Sequence, residues 1–363
     1  MALPLTEDFK AMILDHTPLI DVRAPIEFSK GAFPTAVNLP LMNDEEREAV
    51  GICYKQHGNE AAVALGHARV SGEVRQSRIE QWRDFIQKHP DAVLYCFRGG
   101  QRSRISQEWI AETGLTIPRI KGGYKAFRNY LIRQLESMEG RFTPLLLGGR
   151  TGSGKTLLLH RLDAMIDLEG LAKHRGSAFG GYIEPQPAQI DFENRLAYDL
   201  IEKLHRGFGH LVFEDEGKNV GRLYLPQKFF TLLAPADIIL LETPLHARVD
   251  ITYDEYVTSA QKELTALYGV EKGLHAWGEK MRGNIDRIRK RLGSERHRQI
   301  RTLFEDAMSA QLRGDATLHK RWIEQLLSEY YDPMYDYQLG KKEGRIVFKG
   351  DQEEVLDYLR TRT

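Results

Sequence analysis

A chain of 363 residues exceeds one ordinary hydrophobic core and implies two domains or three. Hydrophobic residues at 42% and charged residues at 28% form an ordinary globular balance, which excludes wholesale disorder and collagen-like repeats. Lys plus Arg number 51, as do Asp plus Glu, so a uniformly basic nucleic-acid binder is excluded while a local basic face is not. Two cysteines, Cys53 and Cys96, are too few for a disulfide scaffold or a structural zinc cluster. The opening segment MALPLTEDFK shows no basic stretch followed by an apolar run, and no apolar stretch approaches membrane-spanning length. The expectation is a cytoplasmic protein with no membrane partner.

Short apolar runs alternate with helical patterns along the first part of the chain. Residues 18–23 and 36–40 read as strands, and a long helical stretch runs from about 43 to 87. Residues 92–96 form a third strand that ends at Cys96, and a helix follows from about 103 to 112. After Ile120 comes a Gly122-Gly123 turn, then a helix from about 124 to 138. A linker at Glu139-Gly140 divides the chain into domains 1–138 and 139–363. The second domain opens with the apolar strand 143–147, a glycine-rich loop and a helix from 157 to 166. Further strands fall at 210–213, 237–241 and about 345–348, and the chain between about 255 and 330 is helical and charged. Strands separated by helices argue for α/β architecture with mostly parallel sheets in both domains.

Cys96 opens the loop Cys96-Phe97-Arg98-Gly99-Gly100-Gln101-Arg102-Ser103, directly before a helix. Successive N–H groups in such a turn stabilise an anion, and Arg98 and Arg102 add to the field, so Cys96 is expected to react as a thiolate. Gly99 and Gly100 would let the backbone wrap a phosphate. Cys53, between Ile52 and Tyr54, reads as a small core residue.

Gly149-Arg150-Thr151-Gly152-Ser153-Gly154-Lys155-Thr156 satisfies the phosphate-loop pattern G-x-x-x-x-G-K-[ST], with an apolar strand before it and an apolar helix after it. Gly149, Gly152, Ser153 and Gly154 would supply backbone donors, Lys155 a point charge and Thr156 a ligand for Mg²⁺. The strand at 210–213 runs into Glu214-Asp215-Glu216, of which Glu214 or Asp215 is expected near that metal. Arg248, after the strand ending at Leu241, could reach a phosphate but reads rather as an ordinary surface arginine. The stretch His174-Arg175-Gly176-Ser177-Ala178-Phe179-Gly180 is rich in small residues and could shape a substrate mouth. Between Lys280 and Arg301 stand nine basic residues and two acids. Arg287, Arg291 and Arg298 fall at helical spacing with Ser294 between them, and together with Lys290 they suit an RNA backbone.

These residues resemble two families joined on one chain. Leu19-Ile20-Asp21-Val22-Arg23 with Glu27-Phe28, the run Gly31 to Pro40, the Cys96 loop and Ile120-Lys121-Gly122-Gly123-Tyr124 look like the motifs of a rhodanese domain. Five residues separate Cys96 from Arg102, one more than in most sulfurtransferases of that fold and the length used by its phosphatases. The alternative reading is therefore a rhodanese-fold phosphatase or arsenate reductase with a nucleotide-binding regulatory domain. With Gly122–Arg128, the phosphate loop, His174–Gly180 and Phe213-Glu214-Asp215-Glu216 added, the chain resembles the bacterial tRNA 2-selenouridine synthases.

That resemblance implies an N-terminal rhodanese-like parallel-sheet domain and a C-terminal P-loop NTPase-like α/β domain with a helical, basic extension. It implies a selenotransferase that replaces the sulfur of wobble 2-thiouridine in tRNA by selenium from selenophosphate. It further implies an S-geranyl intermediate made from geranyl diphosphate, with selenophosphate and geranyl diphosphate as co-substrates, and no tightly bound organic cofactor. A selenophosphate-producing enzyme would be a natural partner. On this reading Cys96 carries selenium, Arg98 and Arg102 hold the donor's phosphate, and the phosphate loop holds the diphosphate of the prenyl donor. S-alkylation would turn a poor leaving group into a better one.

Overall fold

The computed structural model describes residues 3–175, 179, 181 and 183–362. Residue contacts divide the chain into two compact units, Met1–Met138 with Ala188–Arg206, and Glu139–Pro187 with Gly207–Thr363.

The first unit is built on β1 (Leu5–Thr6), β2 (Leu19–Asp21), β3 (Ala36–Asn38), β4 (Val93–Tyr95) and β5 (Arg119–Ile120), in the order β1-β5-β4-β2-β3. Every pairing is parallel. β2 and β4 are central and buried along their whole length, as expected of a parallel sheet covered on both faces. Ile20, Val22 and Leu94 pack with Trp82, Ile86 and Trp109 of the covering helices. The long helical stretch expected at 43–87 is two helices, Asp44–Arg69 and Gly72–Lys88. Gly58 kinks the first of them with φ +81°, a value that favours glycine. Cys53 lies on that helix and is half-buried, not the core residue expected. Only Ala62 of this helix is fully buried.

The helix Gln189–His205, sequentially inside the second domain, packs with this first unit. Asp191 Oδ1 accepts from Ala32 N at 2.7 Å, and Asn194 Nδ2 donates to Ala32 O at 2.7 Å, so the helix holds both backbone groups of Ala32 in the segment before β3. Arg128 ion-pairs with Glu193.

The second unit carries β6 (Thr143–Gly148), β7 (Met165–Ile166), β8 (His210–Glu214), the short antiparallel pair β9 (Asn219–Val220) and β10 (Leu223–Tyr224), then β11 (Asp237–Leu241) and β12 (Ile346–Gly350). Its main sheet runs β12-β11-β6-β8-β7, all parallel. The helix after the phosphate loop is short, Lys155–Leu159, because the chain turns back into β7 within six residues. No helix among the described residues is long and apolar enough to cross a membrane.

The helical part of this unit has its own core, in which Trp277, Phe304 and Trp322 surround His319. His319 Nδ1 accepts from Trp322 Nε1 at 2.9 Å, so its proton sits on Nε2, 2.8 Å from Gln311 Oε1. Burial lowers the pKa of His319 from 6.5 to about 4. The folded state therefore binds fewer protons than the unfolded chain between those values. This one residue is expected to remove about 3 kcal/mol of stability as the pH falls through that window. Urea unfolding at pH 7 and pH 4.5 should show a smaller difference for His319→Gln than for the parent; equal differences would refute the assignment.

Candidate functional site

Cys96 stands at the C-terminal end of β4, where parallel sheets present their reactive groups. Its side chain is 3% exposed, and the thiol donates to Ser103 Oγ at 3.2 Å while that hydroxyl donates to Gly100 O at 3.1 Å. The hydroxyl carries one proton, so partnering a thiolate requires it to turn that proton from Gly100 O to the sulfur. The loop is pinned from outside. Tyr124 N donates to Cys96 O at 2.9 Å and Lys125 N donates to Phe97 O at 3.0 Å. A Cβ at Gly123 would lie 2.2 Å from Cys96 O, so only glycine lets the closing turn approach so near. Tyr124 is in turn capped by Arg23, 3.9 Å above its ring, and Arg23 is tied to Asp21 by a buried ion pair. The three separate motifs of the first domain thus form one packed unit behind the thiol.

The two arginines of the loop differ. Arg98 is exposed and has no acidic partner among the described residues. Arg102 is held in a fork by Glu27, with its nitrogens 2.5 and 3.1 Å from the two carboxylate oxygens. Burial works against the charge on Glu27, but Arg102 outweighs it and lowers the carboxyl's pKa. The anion-ready surface beside Cys96 therefore consists of Arg98 and the backbone at the start of the helix Gln101–Ala111, with Arg102 engaged elsewhere. No side chain caps that helix.

The phosphate loop joins β6 to Lys155–Leu159 with Gly149, Gly152 and Gly154 all at positive φ. A Cβ at Gly152 would fall 2.3 Å from Thr252 Oγ1 and 2.9 Å from Arg248 O. Lys155 Nζ donates to Gly149 O at 2.9 Å, and Thr243 Oγ1 donates to Ser153 O at 2.9 Å. Ser153 Oγ is buried without a partner, and Thr156 lines the same cavity.

Arg248 departs most from expectation. It is 2% exposed; Nε donates to Thr151 O at 3.0 Å, and its fork pairs with Asp332 at 3.0 and 2.6 Å. A surface arginine on the sequence is a buried brace of the phosphate loop in the fold. Nothing local marked it, because Asp332 lies 84 residues away and only helix packing brings the two together.

The two acids expected near a metal differ in their engagement. Asp215 is taken by Lys342, whose Nζ is 2.8 Å from both carboxylate oxygens. Glu214 is 1% exposed and accepts from Leu168 N at 3.0 Å, while its other oxygen has no partner; burial raises its pKa well above that of an ordinary carboxylate. Among the described residues no group of three or more His, Cys, Asp or Glu is arranged to hold a metal. The carboxylates that act on Lys155 include Glu169 and Glu216. Burial and then the charge of Glu216 raise the pKa of Glu169, and burial raises that of Glu216 against a hydrogen bond with Glu169. Burial works against the charge on Lys155, but Tyr335 and these carboxylates outweigh it and raise its pKa. Glu169 carries no local signal; it arrives because β7 lies beside β8.

His174 pairs with Gly181 as an isolated antiparallel bridge, Arg175 lines the cavity over the phosphate loop, and Phe179 stacks on Tyr256 at 5.7 Å. Residues 176–178 and 180 of that stretch lie outside the described residues. The basic segment is not one helical face. It spans Val270–Arg287, Arg289–Leu292 and Ser294–Gln311, with Gly293 at φ +84° breaking it. Arg298 pairs with Glu295, and Arg282 with Glu279 and Glu305. Arg287 lines a cavity with His174 and Lys280. Lys290 and Arg291 are exposed at the break, beside Arg289, with no ion-pair partner among the described residues.

Two family models match this chain. One described as a rhodanese-like domain covers residues 5–130, and one described as a tRNA 2-selenouridine synthase AAA domain covers residues 140–363. A tRNA 2-selenouridine synthase of Sulfurovum sp. (strain NBC37-1) is 57% identical over 359 residues, 99% of this chain and 98% of that one. Those of Hydrogenovibrio crunogenus (strain DSM 25203 / XCL-2) and Pseudomonas entomophila (strain L48) are 51% and 49% identical, covering 98% and 99% of this chain and 99% and 97% of theirs.

Proposed function

The chain belongs to the tRNA 2-selenouridine synthase family, and from that premise we propose how its two sites divide the reaction. It is a selenotransferase that replaces the sulfur of wobble 2-thiouridine in tRNA by selenium. Likeness over nearly the whole chain carries this reading, since it includes both the cysteine loop and the phosphate loop. A phosphatase with a regulatory nucleotide domain, which the loop length alone allows, has no such support.

In the first unit the Cys96 thiolate takes the phosphoryl group of selenophosphate and releases selenium as selenide, which displaces the alkylated sulfur as geranyl thiol; water then frees Cys96 and yields phosphate. Arg98 and the N–H groups opening the helix Gln101–Ala111 take the phosphate of selenophosphate. Arg102 joins them only when its fork with Glu27 opens. In the second unit Gly149, Gly152, Ser153, Gly154, Lys155 and Thr156 hold the diphosphate of geranyl diphosphate, and the chain alkylates the sulfur before selenium displaces it. Binding a diphosphate needs donors and positive charge, and the loop supplies both without any nucleotide being hydrolysed. Lys290 and Arg291, with Arg287 nearby, contact the tRNA backbone, so binding weakens as salt rises.

The division is tested with two substrates. Lys155→Ala should lower geranyl transfer roughly a hundredfold or more while sparing selenation of RNA that is already S-geranylated. Intact prenylation in Lys155→Ala, with prenylation lost in Cys96→Ala, would reverse the assignment. Mass spectrometry of wobble nucleosides from cells lacking this chain tests the family function itself: unchanged 2-selenouridine in a selenium-using strain refutes it.

A further inference from the structure

The first unit contains a cavity of about 140 Å³ between the helix Asp44–Arg69 and the helix that follows the cysteine loop. Leu41, Met42, Val50, Val63, Ile105 and Trp109 give it apolar walls. We propose that it receives the apolar chain of the S-alkylated wobble base while the sulfur of that base faces the Cys96 loop. The proposal rests on the two-step reading above and assigns a place to the chain during selenium transfer.

Three observations carry it. First, Gln101, Ile105 and Trp109 all line the cavity and stand four residues apart on one helix, so they share a face. Along that face the lining changes from polar, at Gln101 and Arg102, to apolar. The polar end is the one that follows Cys96 in sequence, which orients an amphiphile with its heteroatom toward the thiol. Second, Leu41, Met42, Val70 and Trp109 line the cavity and belong to the same core cluster as Cys96. Third, the outer wall is loosely closed. The helix Asp44–Arg69 buries only Ala62 fully, Gly58 kinks it, and Tyr54 at the cavity is 58% exposed. The pocket is open on this side, so an apolar chain can enter and replace water against the apolar walls, and a wall that can give admits a longer chain.

The consequence is selectivity for the alkyl group. Selenophosphate and anticodon stem-loop RNA carrying S-geranyl- or S-methyl-2-thiouridine serve as probes. The parent should favour the geranyl RNA by more than about a hundredfold in kcat/KM, because burying several extra methylene groups is worth that factor. Val63→Trp, which fills the cavity, should lower the geranyl-to-methyl ratio at least about tenfold. Should Val63→Trp not fold, the parent still reports. S-geranyl-2-thiouridine nucleoside should change tryptophan emission saturably, and Trp109→Phe should abolish the change. Turnover of geranyl RNA without preference, a ratio unmoved in Val63→Trp, or no change in emission overturns the cavity's role and leaves the two-step reading standing. Selenation of plain 2-thiouridine RNA with none of the geranyl RNA overturns the two-step reading itself.

Discussion

Replacing Cys96 by alanine is expected to lower 2-selenouridine formation by at least about a thousandfold, the scale of losing a covalent nucleophile. The fold should survive. Cys96 is a small side chain at the end of a strand, and truncating it removes one thiol from a cluster held chiefly by Trp82, Trp109 and the β2 and β4 residues. A destabilisation of about 1 kcal/mol is expected from the lost contacts, far too little to explain such a loss of activity. Cys96→Ser keeps a donor for Ser103 Oγ and should be equally inactive, because a serine hydroxyl stays un-ionised near neutral pH and is a far weaker nucleophile than a thiolate. Nucleoside mass spectrometry after reaction with selenophosphate, with thermal unfolding alongside, checks both. Activity within tenfold of the parent in either variant would remove Cys96 from the chemistry.

The second large effect is on stability. Arg248→Ala should destabilise the second unit by about 3–5 kcal/mol, because it leaves the Asp332 carboxylate largely buried without its partner and removes the donor to Thr151 O. Diphosphate binding should weaken with it, since Thr151 is part of the phosphate loop. The double variant Arg248→Met/Asp332→Leu should regain much of the stability, as an apolar pair of similar volume carries no stranded charge. Yet it should not regain tight diphosphate binding, because the brace on Thr151 stays lost. Urea unfolding and isothermal titration with inorganic diphosphate separate the two effects. Equal stability of Arg248→Ala and the parent would show that the buried pair does not brace this loop.

Much of the architecture was legible because its signals are local. The strand before Cys96, the glycine pattern from Gly149 to Thr156 and the Gly122-Gly123 turn are set by neighbours within a few residues. The same holds for the apolar runs that become β2, β4, β6, β8 and β11, which are buried on both faces and so need no alternation to be recognised. The helical basic segment was legible as charge but not as shape. Gly293 breaks it, and Arg282 and Arg298 spend their charge on nearby acids.

By itself the sequence determined the two α/β domains, the thiol loop and the phosphate loop, since each rests on backbone conformations that glycines and short apolar runs dictate locally. Only the tertiary structure decided what each charge meets. Asp215 goes to Lys342, Arg102 to Glu27 and Arg248 to Asp332, across 127, 75 and 84 positions of chain. Glu169 acts on Lys155 because two strands are neighbours in a sheet. The helix Gln189–His205 belongs to the first unit, where Asp191 and Asn194 satisfy the half-buried backbone of Ala32. Coulomb attraction and buried hydrogen bonds depend on distance in space, and spacing along the chain does not encode it.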